Sequence, residues 1–409
     1  MRAQPPQVAR QNGGRNLRNR WGILTVLFMV RLTMAFQFQS VAAVAPLLRT
    51  EFGVGLAEIG FLIGLYFTPG VVLALPGGAI GQWLGDKRTT LAALLLMLIG
   101  STMMALGGSW SWQVAGRLVA GGGGVLLNVQ MTKMVADWFV GKEIATAMAI
   151  FVNSWPAGIA LSLLTLPSIG TTYDVNAVDF FVVALVGIGI ALALTYSPPP
   201  GATAATTAST RPDFRTALAV TVAGLIWGLF NVGFAVIFSF GPTMLVERGW
   251  TIAQAGSVIS IVLWLAVISV PMGGFIADRL KRPQMVLIVG SLISTALMLC
   301  LAHTNAVIAS VVALGLISGQ PAGPIMSLPA RVLQPHTRAI GMGVFYMVYY
   351  GIMALGPIIA GACAKWTGNA ASAFDFGAVV VLVCPPLLWA FNIIAVSRQA
   401  LTPSPSAPR

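Results

Sequence analysis

Residues 21–48 read WGILTVLFMVRLTMAFQFQSVAAVAPLL. The run is apolar throughout, and about 20 helical residues suffice to cross the ~30 Å hydrocarbon core of a bilayer. Arg31 interrupts it about 15 Å past Trp21 at the helical rise, near the midplane. An arginine there costs at least about 2.5–3.5 kcal/mol on insertion scales and lies too deep to snorkel easily. Two roles answer that cost: lining a water-filled pathway, or tying helices together through backbone carbonyls. The first is the default for an ionisable group at this depth, which makes Arg31 the leading candidate site residue.

Composition extends the same reading to the whole chain. Of 409 residues, 57% are hydrophobic and 8% charged, with a mean hydropathy of +0.87, whereas soluble domains carry about 25% charged residues. The chain reads as a polytopic helical membrane protein whose main partner is the lipid bilayer. A net charge of +12 could suggest nucleic acid, but its distribution follows the positive-inside pattern, so no nucleic-acid partner is expected. Arg2, Arg10, Arg15, Arg18 and Arg20 precede the first span, and most other basic residues fall in alternate loops. Apart from Arg31 and Arg117 within spans, only Arg49, Arg248 and Lys365 fall on the opposite side. Both termini are therefore expected in the cytoplasm, in a multi-pass protein of the cell (inner) membrane. Ala43-Val44-Ala45 mimics a signal-peptide cleavage site, but the run before it is too long and holds Arg31, so the first helix is expected to be retained. Cys300, Cys363 and Cys384 lack metal-ligand spacing and read as small core residues.

Twelve apolar runs give the organisation. Residues 1–20 form a basic tail without periodicity. Spans at about 21–48, 56–80, 89–108, 112–136, 144–168 and 178–196 make an N-terminal six-helix bundle (21–196). Residues 197–215, SPPPGATAATTASTRPDFR, read as a flexible cytoplasmic linker. Spans at about 217–241, 252–277, 284–302, 306–330, 339–363 and 374–396 make a C-terminal bundle (216–397), and 398–409 form a tail. The expected fold class is an all-α membrane protein of two pseudo-symmetric six-helix bundles, and a monomer is expected. The halves repeat at one constant offset: Pro46 matches Pro242, Gly60 matches Gly256, Gly78 matches Gly274, and Ile80 matches Ile276. Such parallel repeats mark secondary transporters with a site between the halves near the midplane.

Gly274-Phe275-Ile276-Ala277-Asp278-Arg279, followed by Lys281-Arg282, resembles the GxLaDRxGRR loop of the major facilitator superfamily. The family places that loop between helices 2 and 3 and, more weakly, between helices 8 and 9; here the second copy is the fuller one. The first copy keeps Gly78, Gly85, Lys87 and Arg88 but has Gln82 where the family has aspartate. The resemblance implies that Gly78, Gln82, Gly85, Lys87, Arg88, Gly274, Asp278 and Arg279 form gating loops. Gly116-Arg117-Leu118-Val119-Ala120-Gly121 resembles the family's RxxxG pattern in helix 4. Arg31, Asn128, Lys133 and Asp137-Trp138-Phe139 resemble the cyanate and nitroimidazole permease-like group, which implies a small anion as substrate.

The acids all lie outside the spans or at their ends, so no carboxylate is expected in the pathway. The polar mid-span residues are instead Gln37, Gln39, Asn128, Asn153, Asn231, Gln320 and the tyrosines 346, 349 and 350. Gln39 lies about 80° around the helix from Arg31 and shares its face better than Gln37 does. Amides around a guanidinium suit a planar, hydrogen-bond-accepting anion, and each amide serves equally well as interhelical glue. The expected substrate-binding set is Arg31, Gln39, Arg117, Asn128, Asn153, Asn231, Gln320 and Tyr346. Arg117, close to an outer end, either faces the cavity or snorkels. Lys133 and Asp137 are spaced for an ion pair. The glycines 121–124 read as close helix packing, since no strand precedes them as a phosphate loop requires. Gly319-Gln320-Pro321-Ala322-Gly323-Pro324 must break its helix. No enzyme motif, cofactor site or metal cluster is seen, and a sensor would need an output domain. The sequence thus points to a secondary active transporter of a small organic or inorganic anion, the alternative being a proton-coupled exporter of drugs or other hydrophobic solutes.

Overall fold

The computed structural model of the chain describes residues 8–74, 76, 80, 83–139, 143–198, 211–334 and 337–399. Among them every regular element is a helix. The first half holds α1 (Val8–Ala43), α2 (Ala45–Phe52), α3 (Leu56–Leu65), α4 (Thr68–Leu73), α5 (Asp86–Leu106), α6 (Trp110–Trp138), α7 (Ile144–Thr172) and α8 (Val175–Leu194). The second holds α9 (Phe214–Glu247), α10 (Ile252–Leu280), α11 (Pro283–His303), α12 (Val307–Ile317), α13 (Ala322–Met326), a 3-10 turn (Pro329–Arg331), α14 (Arg338–Thr367), α15 (Ala371–Leu382) and α16 (Cys384–Gln399).

Local sequence explains the breaks. Pro46 sits in the first turn of α2, where its missing N–H costs nothing, and Gly53 ends that helix at φ 64°. The chain breaks between Ile317 and Ala322, within the Gly-Gln-Pro segment expected to do so. Asp213 and Thr251 cap α9 and α10, accepting from the backbone N–H of Thr216 and Gln254. One expectation changes: α1 begins at Val8, so helix extends well into the segment read as an irregular tail. Once the apolar run is helical, adding residues at its end avoids the cost of nucleation.

Among the described residues, eleven segments are long and apolar enough to span a membrane. The 29-residue α6 is the twelfth pass by length, and Gln113, Arg117, Asn128, Gln130 and Lys133 are what dilute its apolar character. Its glycines do the work of close packing. A Cβ on Gly121 would meet the Tyr66 backbone, one on Gly123 the Ala93 carbonyl, and one on Gly124 the Tyr66 ring.

Among the described residues, the two bundles meet tightly toward one end, the end away from both Val8 and Gln399. There α3 crosses α14 so closely that a Cβ on Gly60 would collide with the Pro357 carbonyl, and one on Gly361 with that of Leu56. On the other side Gly256 of α10 rests on the Leu163 carbonyl of α7. Lys365 pairs with Glu58 at 3.2 Å and Arg49 with Glu247 at 3.8 Å across the same seam. At the opposite end the pairs Arg20–Glu143, Lys133–Asp86 and Gln284–Asn392 each stay within one bundle. The cavity between the bundles is therefore sealed at the first end. Gly60→Leu should wedge α3 off α14 and lengthen the distance between spin labels at Thr50 and Trp366, measured by electron–electron resonance in a cysteine-free background. An unchanged distance would show that the seam does not depend on backbone contact.

Candidate functional site

The space between the bundles is a cavity with about 180 Å³ of room for the centres of water-sized molecules. Arg31 lines it from α1, Asn128 from α6, Asn153 and Trp155 from α7, Asn231 from α9, and Tyr349 and Tyr350 from α14. The guanidinium is held in a fixed plane. Its Nε donates to Asn128 Oδ1 at 3.3 Å, and its Nη1 to the carbonyls of Phe151 and Val152 at 3.0 and 3.2 Å. The Phe151 ring lies 4.6 Å beneath it.

Sequence explains why those carbonyls are available. Pro156 has no N–H, so the Val152 carbonyl four residues earlier loses its intrahelical donor and turns to Arg31. Asn128 in turn donates through Nδ2 to the Tyr350 hydroxyl at 3.2 Å, linking the two bundles. Arginine has only donors, so Asn128 must present its oxygen to Arg31 and its amide nitrogen to the tyrosine. Nη2 of Arg31 takes no part in these bonds. No ion pair among the described residues includes Arg31, and no aspartate or glutamate lines the cavity.

Arg117 is placed otherwise. It is completely buried, and each guanidinium nitrogen has a carbonyl: Nε that of Leu62 at 3.1 Å, Nη1 that of Gln37 at 2.9 Å, Nη2 that of Phe38 at 2.6 Å. The Tyr66 ring covers it at 4.6 Å. It does not line the cavity, and it does not snorkel, because α1 and the last turn of α3 supply acceptors closer than the interface. Gln39 also lies outside the lining. Eight residues past Arg31 is about 12 Å nearer the sealed end, where its Nε2 donates to the Phe238 carbonyl of the other bundle at 2.8 Å. Gln320 bonds back to the Leu316 carbonyl of its own segment. Tyr346 sits behind the lining, its ring 6.5 Å from that of Tyr350. Asn153 reaches the Val267 carbonyl at 3.4 Å and Asn231 the Trp227 carbonyl at 2.8 Å, and both face the cavity.

At the open end Gly85 starts α5 at φ 82°, Lys87 donates to the Leu194 carbonyl at 2.6 Å, and Arg88, Asp278 and Arg279 are exposed. A Cβ on Gly274 would meet nothing. Gly78 and Gln82 lie outside the described residues. Lys133 does pair with Asp137, at 3.0 Å, and it bonds Asp86 as well, at 2.8 Å. That second acid, in the first turn of α5, was not anticipated.

Sequence reasoning also missed the rings. Phe38, Phe67, Trp155, Trp227, Phe230, Phe234 and Phe238 all line the cavity. Phe230, Phe234 and Phe238 recur at i, i+4 and i+8, one helix face, and that spacing was the available signal.

The two arginines differ in what they hold. Removing Arg117 as Arg117→Met strands three buried carbonyls, each losing a charge-assisted bond of about 1.5–3 kcal/mol. Thermal unfolding of the purified protein in detergent should fall by many degrees for Arg117→Met and by few for Arg31→Met. Equal losses would contradict the division.

A family model described as the Major Facilitator Superfamily matches residues 27–357 and again 216–408. The human solute carrier family 2, facilitated glucose transporter member 10, is 26% identical over 134 residues, 32% of this chain and only 24% of that protein's length. The Escherichia coli 3-(3-hydroxy-phenyl)propionate transporter is 24% identical over 347 residues, 82% of this chain and 84% of that protein. A crystal structure of a mutant of the nucleoside transporter NupG superposes with a TM-score of 0.69 at 15% identity, covering 93% of this chain and 100% of that one. With two helical bundles around a central cavity and a family match running through both, the chain belongs to the Major Facilitator Superfamily.

Proposed function

We propose that this transporter moves a small organic or inorganic anion by alternating access, with the anion paired to Arg31. The observation that carries the reading is a midplane guanidinium whose partners are carbonyls and an amide, with no carboxylate among the cavity residues. Neutral dipoles offset part of the desolvation of that charge, and a bound anion offsets the rest. An empty carrier closing around a bare charge is at a disadvantage against a loaded one. That favours exchange of one anion for another, or entry with a proton carried on the substrate. Asn128, Asn153 and Asn231 orient the anion. Gln39, Arg117, Gln320 and Tyr346, included in the sequence-based site, act in this reading as supports at one remove.

Bundles 21–196 and 216–397 rock about the site, joined by 197–215. If the basic end is cytoplasmic, as charge distribution expects, the sealed seam at Gly60, Gly256 and Gly361 is outer and the structure faces inward. The loops carrying Gly78, Gln82, Gly85, Lys87, Arg88, Gly274, Asp278 and Arg279 then close the inner end in the other state. The placement is an inner membrane, with both tails inside and the monomer as the working unit. An organic acid is what the name of the Escherichia coli relative gives as that protein's substrate.

Arg31→Lys should lose transport at least about tenfold while abundance stays normal, because an ammonium cannot hold Asn128 and two carbonyls and still present a free edge. The readout is counterflow of labelled anion in proteoliposomes, paired with ethidium efflux under an imposed pH gradient. Wild-type rates in Arg31→Lys would reduce Arg31 to a point charge. Ethidium efflux without anion counterflow would favour the drug exporter instead.

A further inference from the structure

Among the described residues the cavity offers one cation and many rings, and this asymmetry narrows the anion. Resting on the anion reading above, we propose that the substrate is an aryl monocarboxylate: its carboxylate takes the free Nη2 of Arg31, and its ring lies between aromatic faces contributed by both bundles.

Three observations converge. The first is charge. Among the described residues, Arg31 is the sole lysine or arginine in the lining, and no histidine lines it. A single guanidinium edge neutralises one negative charge, and a dianion such as a phosphate monoester would bring a second charge into a site with nothing to meet it. The carboxylate also matches the geometry: Nε and Nη1 are occupied by Asn128, Phe151 and Val152, which leaves Nη2 to bond a planar oxyanion.

The second is the aromatic surface of the lining, which begins beside Arg31 with Trp155, 6.0 Å from the guanidinium. From the N-terminal bundle, Phe38 and Trp155 are stacked on each other at 5.2 Å and 29°. From the C-terminal bundle, Trp227 stacks with Phe230 at 6.0 Å and 22° and lies 6.2 Å from Tyr349. Phe38 and Phe230 are buried behind their tryptophan partners, so the partly exposed Trp155 and Trp227 give the cavity its ring surface from the two bundles. A planar ring between them gains contact and quadrupole complementarity that an aliphatic body of the same size does not. The third is space. An inorganic anion of a few atoms would occupy only the neighbourhood of Arg31 and leave the ring-lined remainder to water, which finds few polar partners there.

The test uses the full-length protein in proteoliposomes, with labelled benzoate counterflow as the readout and unlabelled competitors outside. Expected is competition by benzoate and 3-phenylpropionate, at least about tenfold weaker competition by cyclohexanecarboxylate and acetate, and none by benzamide or nitrate. In the same assay Trp155→Leu and Trp227→Leu should raise the KM for benzoate at least about tenfold. The competition series on the unaltered protein decides the question even if these variants fold poorly. Counterflow of acetate or nitrate with no preference for benzoate would overturn the aryl assignment and leave the anion reading standing. Cyclohexanecarboxylate competing as well as benzoate would overturn it too, in favour of any hydrophobic acid. Benzamide carried as well as benzoate, or no anion carried at all, would overturn the anion reading itself.

Discussion

A guanidinium at the centre of a bilayer forces an accounting of its donors, and the site follows from that accounting. Arg31 has five N–H groups and no carboxylate in reach. The protein satisfies part of that capacity with dipoles: a side-chain oxygen from α6 and two carbonyls from α7, with an aromatic face below. These partners fix the plane without cancelling the charge. What is left over is Nη2, on a residue that lines the cavity, and the proposed anion-binding role rests on that remaining donor.

That arrangement depends on backbone defects set by proline and glycine. Pro156 frees the Val152 carbonyl and so creates half of Arg31's backbone anchorage. Glycines on α3, α10 and α14 do the reverse, letting two bundles meet carbonyl to Cα without side chains between them. Small residues at such crossings are the usual means of close approach between membrane helices. Here they lie toward one end, so the closed seam and the open mouth are two consequences of the same residue placement. The polar links that cross near the middle, Asn128 to Tyr350 and Asn153 to the Val267 carbonyl, are single hydrogen bonds. Each is weak enough to break and reform, as the proposed alternating access requires.

Much of the architecture was legible in the sequence because apolar length, positive-inside bias and a gap-free repeat are all one-dimensional signals. Arg31 was legible for the same reason: its depth follows from counting residues. Which amides turn toward it was not. Gln39 shares a helical face with Arg31 by angle, yet it sits too far along α1 and reaches the Phe238 carbonyl instead. Gln320 lies in a broken segment whose own carbonyls claim its side chain. Lys133 and Asp137 were readable as a local pair, whereas Asp86 reaches them only through the packing of α5 on α6. The rings were hidden by abundance. With 20 phenylalanines, 11 tryptophans and 6 tyrosines in the chain, an aromatic residue at mid-span carries little information until its neighbours are known.

Arg31 and Arg117 show why depth in the bilayer alone does not identify a binding residue. Both sit in the N-terminal bundle, both lie over aromatic rings, and both bond backbone carbonyls. Arg117 spends all three nitrogens on three carbonyls from two helices and is sealed from the cavity. Arg31 leaves one nitrogen free and stays half-buried at the wall. An arginine whose donors are all matched adds rigidity, since any movement of α1 against α3 would break charge-assisted bonds. One with an unmatched edge adds affinity for whatever can match it. In this protein the first ties α1 down through the Gln37 and Phe38 carbonyls, about two turns from the second on that same helix, which fixes where the second stands at the cavity wall.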